Sequence, residues 1–359
     1  MPGIYTHIPF CVKKCSYCDF LSFPVEGNLQ EDYAAALMNE ISAASFTQEI
    51  DTVYIGGGTP TALPPHLLCK ILNALQSLPL QNGAEITVEA NPGTVDKAYL
   101  QALKAQGVNR LSFGLQTTHP HLLRTISRIH TMDDFAQNYH AAQVAGFDNI
   151  NIDLMFALPG QTMAEWEATV QAVIALAPAH ISAYSLTPAE NTPLWAALEV
   201  NHITLPGDET DRQMYHHARQ ALATAGYTHY EISNFARPGS ESRHNINCWR
   251  RVPYIAFGLG GHSFNGQARW NNAEDMATYL QNPGQKNGFV TISDEEAVCE
   301  SIILGLRLTE GIPKSLIPSS HQPAAQKLLV DGLLATTGEN IHLTPRGLDL
   351  ANIVFEAFY

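Results

Sequence analysis

The sequence predicts an α/β fold in which six parallel strands wind into a partial (β/α)6 barrel. A connecting segment and a small C-terminal helical domain with a winged-helix-like hairpin follow. Three observations predict it. Short apolar runs alternate with longer segments of helical period up to about residue 186. Polar or glycine-rich residues sit where those runs stop. Beyond residue 290 the pattern becomes helical, with one hairpin signal.

The apolar runs at residues 3–10, 52–56, 85–90, 110–115, 149–156 and 180–186 read as strands. Between them, residues 30–44 place Tyr33, Ala36, Leu37 and Ile41 on one helical face, and residues 65–78 do the same with Leu67, Leu68, Ile71, Leu72 and Leu75. Further helices begin near Thr94, His119, Met132 and Thr162. Continuous apolar strands joined by crossover helices imply a parallel sheet. Repeated right-handed crossovers can curl it into a barrel. A flat doubly wound sheet is the alternative, and periodicity alone does not separate the two.

After Pro188, residues 208–225 read as an amphipathic helix and 228–235 as a strand, with a loop-rich stretch at 236–288. The chain thus divides into a core at 1–235, a connecting segment at 236–290 and a C-terminal domain at 291–359. The last has helices at 291–308, 323–334 and 346–358 and a hairpin around Gly338-Glu339-Asn340. It carries nine Asp/Glu against four Lys/Arg, which suits a structural or docking unit rather than a DNA reader.

Over 359 residues, 45% hydrophobic and 15% charged, the composition is that of a globular protein with a buried core. A formal net charge of −14 argues against non-specific binding to nucleic acid or anionic lipid. No stretch has the roughly 20 apolar residues of a membrane helix, and residues 1–10 do not read as a signal peptide. A cytoplasmic location is the expectation, with peripheral membrane contact left open.

Three of the six cysteines crowd into Cys11-Val12-Lys13-Lys14-Cys15-Ser16-Tyr17-Cys18, a C-x3-C-x2-C spacing directly after the first strand. Three thiolates on one tight loop can ligate three irons of a cubane cluster and leave the fourth iron free for a small molecule. Zinc is the alternative, but a structural zinc wants four ligands and no second C-x2-C pair follows. The run Gly56-Gly57-Gly58-Thr59-Pro60 closes the second strand. Read alone it is equally a turn.

Together, the stretch 5–11 with its cysteine motif and the 56–60 run resemble the radical-SAM superfamily, and so imply its partial TIM barrel. The resemblance implies a [4Fe–4S] cluster on Cys11, Cys15 and Cys18. Its open iron would hold S-adenosyl-L-methionine, a source of the 5′-deoxyadenosyl radical on one-electron reduction. Glu89-Ala90-Asn91-Pro92-Gly93, residues 111–116, Ser127-Arg128-Ile129-His130 and Ile152-Asp153-Leu154 are similar to the oxygen-independent coproporphyrinogen III dehydrogenase family over nearly the whole chain. Carried across position by position, Tyr5, Gly57, Gly58, Glu89, Gln116, Arg128 and Asp153 match residues that contact S-adenosylmethionine there. The residue types suit this. Glycines let backbone approach a ligand, carboxylates suit a ribose hydroxyl or an ammonium, and a guanidinium suits a carboxylate.

Those dehydrogenases carry one more cysteine two residues after the third, where this chain has Phe20. In that respect it resembles the haem-chaperone, HemW-type branch. That branch has an H-N-x-x-Y-W motif, matched here by His244-Asn245-Ile246-Asn247-Cys248-Trp249 with Cys248 in place of tyrosine. The resemblance implies haem as cargo, His244 as a ligand to it, and haem-requiring acceptor proteins, membrane-associated ones among them. It also implies no coproporphyrinogen dehydrogenase activity. Trp249 offers a plate for a porphyrin face, and Arg243, Arg250 and Arg251 offer partners for propionates. A lone histidine in a loop is more often only a hydrogen-bonding residue, and Cys248 is a rival iron ligand. His216 and His217 are adjacent on a helix, so they point apart and make a poor metal pair. A coproporphyrinogen III oxidase performing two radical decarboxylations, or a radical-SAM enzyme acting on another tetrapyrrole, stays the alternative, and a homodimer stays open. No catalytic residue is assigned.

Overall fold

The computed structural model describes residues 2–24 and 27–359. Six parallel strands come first: β1 (Gly3–Ile8), β2 (Ile50–Gly57), β3 (Leu80–Ala90), β4 (Arg110–Gln116), β5 (Asn149–Phe156) and β6 (His180–Ser185). They pair in sequence order. The connecting helices are α1 (Leu29–Ala43), α2 (Pro65–Gln76), α3 (Lys97–Ala105), α4 (Pro120–Thr125), α5 (Met132–Val144) and α6 (Met163–Leu176). Local sequence fixes several starts. Pro65 and Pro120 open α2 and α4, where a missing N–H costs nothing. Thr131 and Thr162 cap α5 and α6 with reciprocal capping boxes to Asp134 and Glu165.

The strands alternate in a way that explains the curvature. Val53, Ile55, Ile86, Val88, Leu111, Phe113, Ile150, Ile152, Ile181 and Ala183 join the core under the helices. Their alternates are polar or small: Thr52, Tyr54, Thr87, Glu89, Ser112, Gly114, Asn151, Asp153, Ser182 and Tyr184. These face one another. Asn151 Nδ2 donates to Ser112 Oγ at 2.7 Å and to Asp153 Oδ1 at 2.8 Å, while Asn151 Oδ1 meets His180 Nδ1 at 2.6 Å. A sheet with helices on both faces would have to bury these groups in hydrocarbon. Curling the sheet gathers them on its concave face, where neighbours on adjacent strands bond one another.

The sheet continues beyond the parallel strands. After α7 (Pro193–Glu199) and α8 (Asp208–Thr224), the hairpin β7 (Thr228–Glu231) and β8 (Asn234–Ala236) adds antiparallel to β6. Residues 228–235, read from sequence as one strand, therefore turn back at Ile232-Ser233. On the other side, β9 (Tyr254–Phe257) pairs parallel with β1, and β10 (His262–Phe264), β11 (Ala268–Asn271) and β12 (Asn287–Thr291) follow antiparallel. The stretch expected to be loop-rich thus supplies four strands of a 12-stranded sheet, together with α9 (Arg243–Trp249) and α10 (Met276–Gln281).

The C-terminal part contains α11 (Asp294–Gly305), β13 (Ile312–Pro313), α12 (Gln322–Val330), β14 (Leu334–Thr337) and β15 (Asn340–Leu343). The helix expected at 346–358 breaks at Leu350 into α13 (Pro345–Asp349) and α14 (Ala351–Glu356). Strands β13–β15 form a separate three-stranded sheet, the wing. Ile302 and Leu306 tie α11 into the main core. No helix among the described residues is long and apolar enough to cross a membrane.

Candidate functional site

The cysteine loop runs from the end of β1 across the C-terminal ends of the parallel strands. Residues 10–11 pair with 23–24, closing the loop on itself. Ser16 fastens it to the far side: its N–H reaches Ile126 O at 3.3 Å and its Oγ donates to Thr125 O at 3.4 Å. Cys11, Cys15 and Cys18 line one cavity of about 420 Å³ with Gly57, Gly58, Glu89, Gln116, Arg128 and Asp153. Nine of the eleven residues singled out from sequence therefore meet in one place.

The three sulfurs are not gathered within 4.8 Å of one another. A single tetrahedral zinc, with Zn–S near 2.3 Å, would draw its thiolates closer than that. A cubane, which puts each sulfur on a different iron, fits a wider set. Each sulfur also has a hydrogen-bonding neighbour: Thr59 Oγ1 at 3.7 Å for Cys11, Arg128 Nη1 at 3.5 Å for Cys15 and Ser22 Oγ at 4.0 Å for Cys18. Burial pushes the thiols of Cys11 and Cys18 up, so bound metal rather than the bare loop would favour their thiolates.

Glycine is required beside this loop. Gly57 has φ +114°, and a Cβ there would lie 2.6 Å from the His7 ring. A Cβ on Gly58 would lie 2.7 Å from Phe10 O and 3.0 Å from Cys11 Sγ. The backbone thus packs directly under the first cysteine, with Gly58 N–H on Ile8 O at 2.8 Å and Thr59 N–H on Phe10 O at 2.7 Å.

Two carboxylates face the cavity. Glu89 accepts from Tyr54 Oη at 2.6 Å and from Gly57 N–H at 3.3 Å. Burial raises its pKa to about 7, against the lowering effect of the Tyr54 hydroxyl, with nearby Asp153 raising it further. Asp153 accepts from Ser112 Oγ at 3.0 Å and from Asn151. Arg128 crosses from the opposite wall, with Nη2 on Asn91 Oδ1 at 2.6 Å and on Gly114 O, and its buried Nε unpartnered. A cavity of this size, with an acidic pair, a guanidinium and exposed backbone at two glycines, suits a ligand bearing an ammonium, a carboxylate and hydroxyls. Tyr54, Asn91, Ser112, Met155 and Tyr184 also line it. Tyr54, Ser112 and Tyr184 fall on the polar phase of the strand alternation, the signal that could have found them.

Tyr5 and His244 are not in this cavity. They line a second one, of about 740 Å³, with His7, Cys248, Tyr254, His262 and Lys14. Phe20, Gly57 and Glu89 border both. Tyr5 Oη is 3.1 Å from His7 Nδ1, and its ring stacks on Tyr54 with centroids 6.3 Å apart.

His244 sits not in a loop but on α9, at the strands' N-terminal end. Its N–H and that of Arg243 both reach the Glu85 carboxylate at 3.0 Å, which fastens the helix start to the barrel floor. Its Nδ1 is 2.9 Å from Thr52 Oγ1, its ring stacks on Tyr54 at 5.1 Å, and it is 7% exposed. Burial lowers its pKa to about 4, so the imidazole is neutral at neutral pH.

The arginines and tryptophan read as haem partners are committed elsewhere. Arg243 pairs with Asp51 at 2.6 Å, Arg250 with Glu310 at 2.8 Å and Arg251 with Glu300 at 2.7 Å. The Trp249 ring carries Arg307 at 4.3 Å. None of the four lines the second cavity. Cys248 does, with burial pushing its thiol up to about 11.

Comparison with known proteins agrees with this architecture. The Radical SAM superfamily profile matches residues 5–173 and the HemN C-terminal domain profile residues 292–350. "Heme chaperone HemW" of Bacillus subtilis is 35% identical, covering 100% of this chain and 99% of that protein. The protein of that name from Lactococcus lactis is 34% identical over 99% of this chain and 96% of its own length. The Escherichia coli one is 38% identical over 72% and 69%. Among solved structures, coproporphyrinogen III oxidase (HemN) from Escherichia coli, described as a radical SAM enzyme, superposes with a TM-score of 0.86 over 99% of this chain and 90% of that one, at 23% identity, which establishes a shared fold. The chain belongs to the radical SAM superfamily and, within it, to the family of the heme chaperones HemW.

Proposed function

We propose that this protein is a haem chaperone. It holds a [4Fe–4S] cluster on Cys11, Cys15 and Cys18, S-adenosylmethionine in the cavity behind that loop, and haem in the adjoining cavity, and it hands haem to acceptor proteins. Kinship with heme chaperones along the whole chain carries the reading. When bound, the cluster and S-adenosylmethionine supply one-electron reductive chemistry. The chain's own residues position and shield. Glu89 and Asp153 receive the ammonium and ribose hydroxyls, Arg128 the carboxylate, and Gly57 and Gly58 give backbone contact. In the second cavity His244 offers a neutral imidazole to haem iron, with Cys248 as the rival ligand. Phe20 supports carriage over catalysis, since it stands where the dehydrogenases of the resemblance have their extra cysteine.

The test uses anaerobically reconstituted full-length protein. Added haem is expected to give a Soret shift that His244→Ala weakens, and haem is expected to pass to an apo-acceptor such as an apo-cytochrome. Coproporphyrinogen III is expected to stay unconverted under reducing conditions. Robust decarboxylation coupled to S-adenosylmethionine consumption, without haem binding, would refute the proposal.

A further inference from the structure

A cluster of ligating side chains lies outside both cavities. His119 and His121 flank Pro120 at the start of α4, and Glu165 sits in the first turn of α6. One ring nitrogen from each histidine and a carboxylate oxygen of Glu165 all lie within 4.8 Å of one another. Two imidazoles and a carboxylate are a donor set that zinc-class divalent ions take, with water completing the shell.

The donors are already oriented. Glu165 Oε2 accepts from the N–H and the hydroxyl of Thr162, both at 2.8 Å, in the α6 capping box. That fixes the carboxylate and leaves Oε1 facing His121 Nε2 at 3.0 Å. His119 Nε2 is 3.0 Å from the backbone carbonyl of Glu165. That contact holds the ring against α6, and since a carbonyl can only accept, Nδ1 is the nitrogen that the site would require of His119. The loop is held independently: the Thr118 and Thr169 hydroxyls are 3.0 Å apart, and His119 N–H donates to Thr117 Oγ1 at 3.2 Å. His121 is 52% exposed on its side chain, so an ion can enter from solvent without opening the fold. A His–Glu pair this exposed stabilises little by itself.

We propose that His119, His121 and Glu165 form a second metal site, for a zinc-class divalent cation, which staples the loop after β4 to α6. The position gives the site a consequence. Helix α4 leads from it to Thr125 and Ile126, whose carbonyls hold Ser16 of the cysteine loop, and then to Arg128, 3.5 Å from Cys15 Sγ. A bound ion would stiffen the segment against which the cysteine loop rests.

The test is calorimetric titration of zinc into cluster-loaded full-length protein, repeated in a variant with Cys11, Cys15 and Cys18 all changed to alanine so that the loop cannot take zinc. One zinc per chain is expected in both. His119→Ala and His121→Ala are each expected to weaken binding about ten-fold or more. Glu165→Gln, which keeps an acceptor for the capping box and so the fold, is expected to weaken it likewise. Zinc is also expected to slow amide hydrogen exchange in residues 117–128 of the wild type but not of His121→Ala. No uptake in either protein, or uptake that survives the histidine substitutions, would overturn the site.

Discussion

Tyr54→Phe removes the hydroxyl that donates to Glu89 Oε1 at 2.6 Å and leaves the ring stacked between Tyr5 and His244. Burial raises Glu89 to about 7, and the Tyr54 hydrogen bond opposes that rise. A hydrogen bond to a charged group is worth about 1.5–3 kcal/mol. A net preference for the ionised form of about 1.4 kcal/mol moves a pKa by about one unit. Without the hydroxyl Glu89 is therefore expected to titrate higher, by about one unit if about 1.4 kcal/mol of that preference is lost. At pH 7 its ionised fraction would fall from about one half to about one tenth. If only the carboxylate receives the ammonium of S-adenosylmethionine, apparent affinity scales with that fraction, giving about five-fold weaker binding at pH 7 and almost no loss at pH 9. Anaerobic calorimetry from pH 6 to 9 reads this out, with Glu89→Gln as the pH-insensitive control. A wild-type affinity that does not rise through pH 7, or a Tyr54→Phe deficit equal at pH 7 and pH 9, would refute the reasoning.

Three further outcomes are expected. Alanine at Cys11, Cys15 or Cys18 should remove the roughly four irons per chain and the reduced-state EPR signal, whereas alanine at Cys69 or Cys299, which do not line the cavity, should leave both. Gly58→Ala forces a Cβ to 2.7 Å from Phe10 O and should cost about 1–3 kcal/mol in denaturant unfolding along with cluster retention, while Gly207→Ala, with nothing within 4 Å, should do neither. Stability should fall with acid: burial lowers His244, His130 and His229 to about 4 from 6.5, so each contributes stability that is full above about pH 6.5 and lost as pH falls through 4. The His244 share, up to roughly 3 kcal/mol, should be missing from His244→Ala, and urea midpoints that stay flat from pH 7 to pH 4.5 would contradict this.

The order of the parallel strands and the cysteine site were legible because both are local. An apolar run ended by Gly57-Gly58 or Gln116 marks a strand end wherever it lies in the fold, and C-x3-C-x2-C needs no distant partner. Barrel curvature was not separable from a flat sheet by the apolar runs and came only with the family resemblance; its signal is one those runs hide, the polar phase Ser112-Gly114-Gln116 and Asn151-Asp153 within strands otherwise full of Leu, Ile and Phe. The edges were not legible. Strands of three to five residues such as His262–Phe264 bury too little to show a period, and the turn at Ile232-Ser233 lacks Gly, Pro or Asn. Least legible were the partners of Arg243, Arg250 and Arg251. Asp51, Glu310 and Glu300 lie 49 to 192 positions away in sequence, so a cluster of arginines beside His244 looks free until the fold is known.

Phe20 joins the sequence argument to the geometric one. It is 63% exposed and borders both cavities, the only aromatic side chain among the described residues known to do so. A cysteine there would bring a fourth thiol beside the three of the loop, a small group able to donate a hydrogen atom or a proton but offering little surface. A phenyl ring offers the reverse. It has no transferable proton, and fully covering it with a flat apolar partner is worth about 1.5–3 kcal/mol. At the boundary between the cavity of the cysteine loop and the one that reaches His244, a phenyl ring offers apolar cover and no proton, which is what the proposed carrier role asks of that position. The arginine commitments point the same way. With Arg243, Arg250 and Arg251 bound to carboxylates, the second cavity has Lys14 as its one Lys or Arg, beside Asp19, Glu89 and Glu274, so under the proposed carrier role a macrocycle there would meet no guanidinium clamp on its propionates.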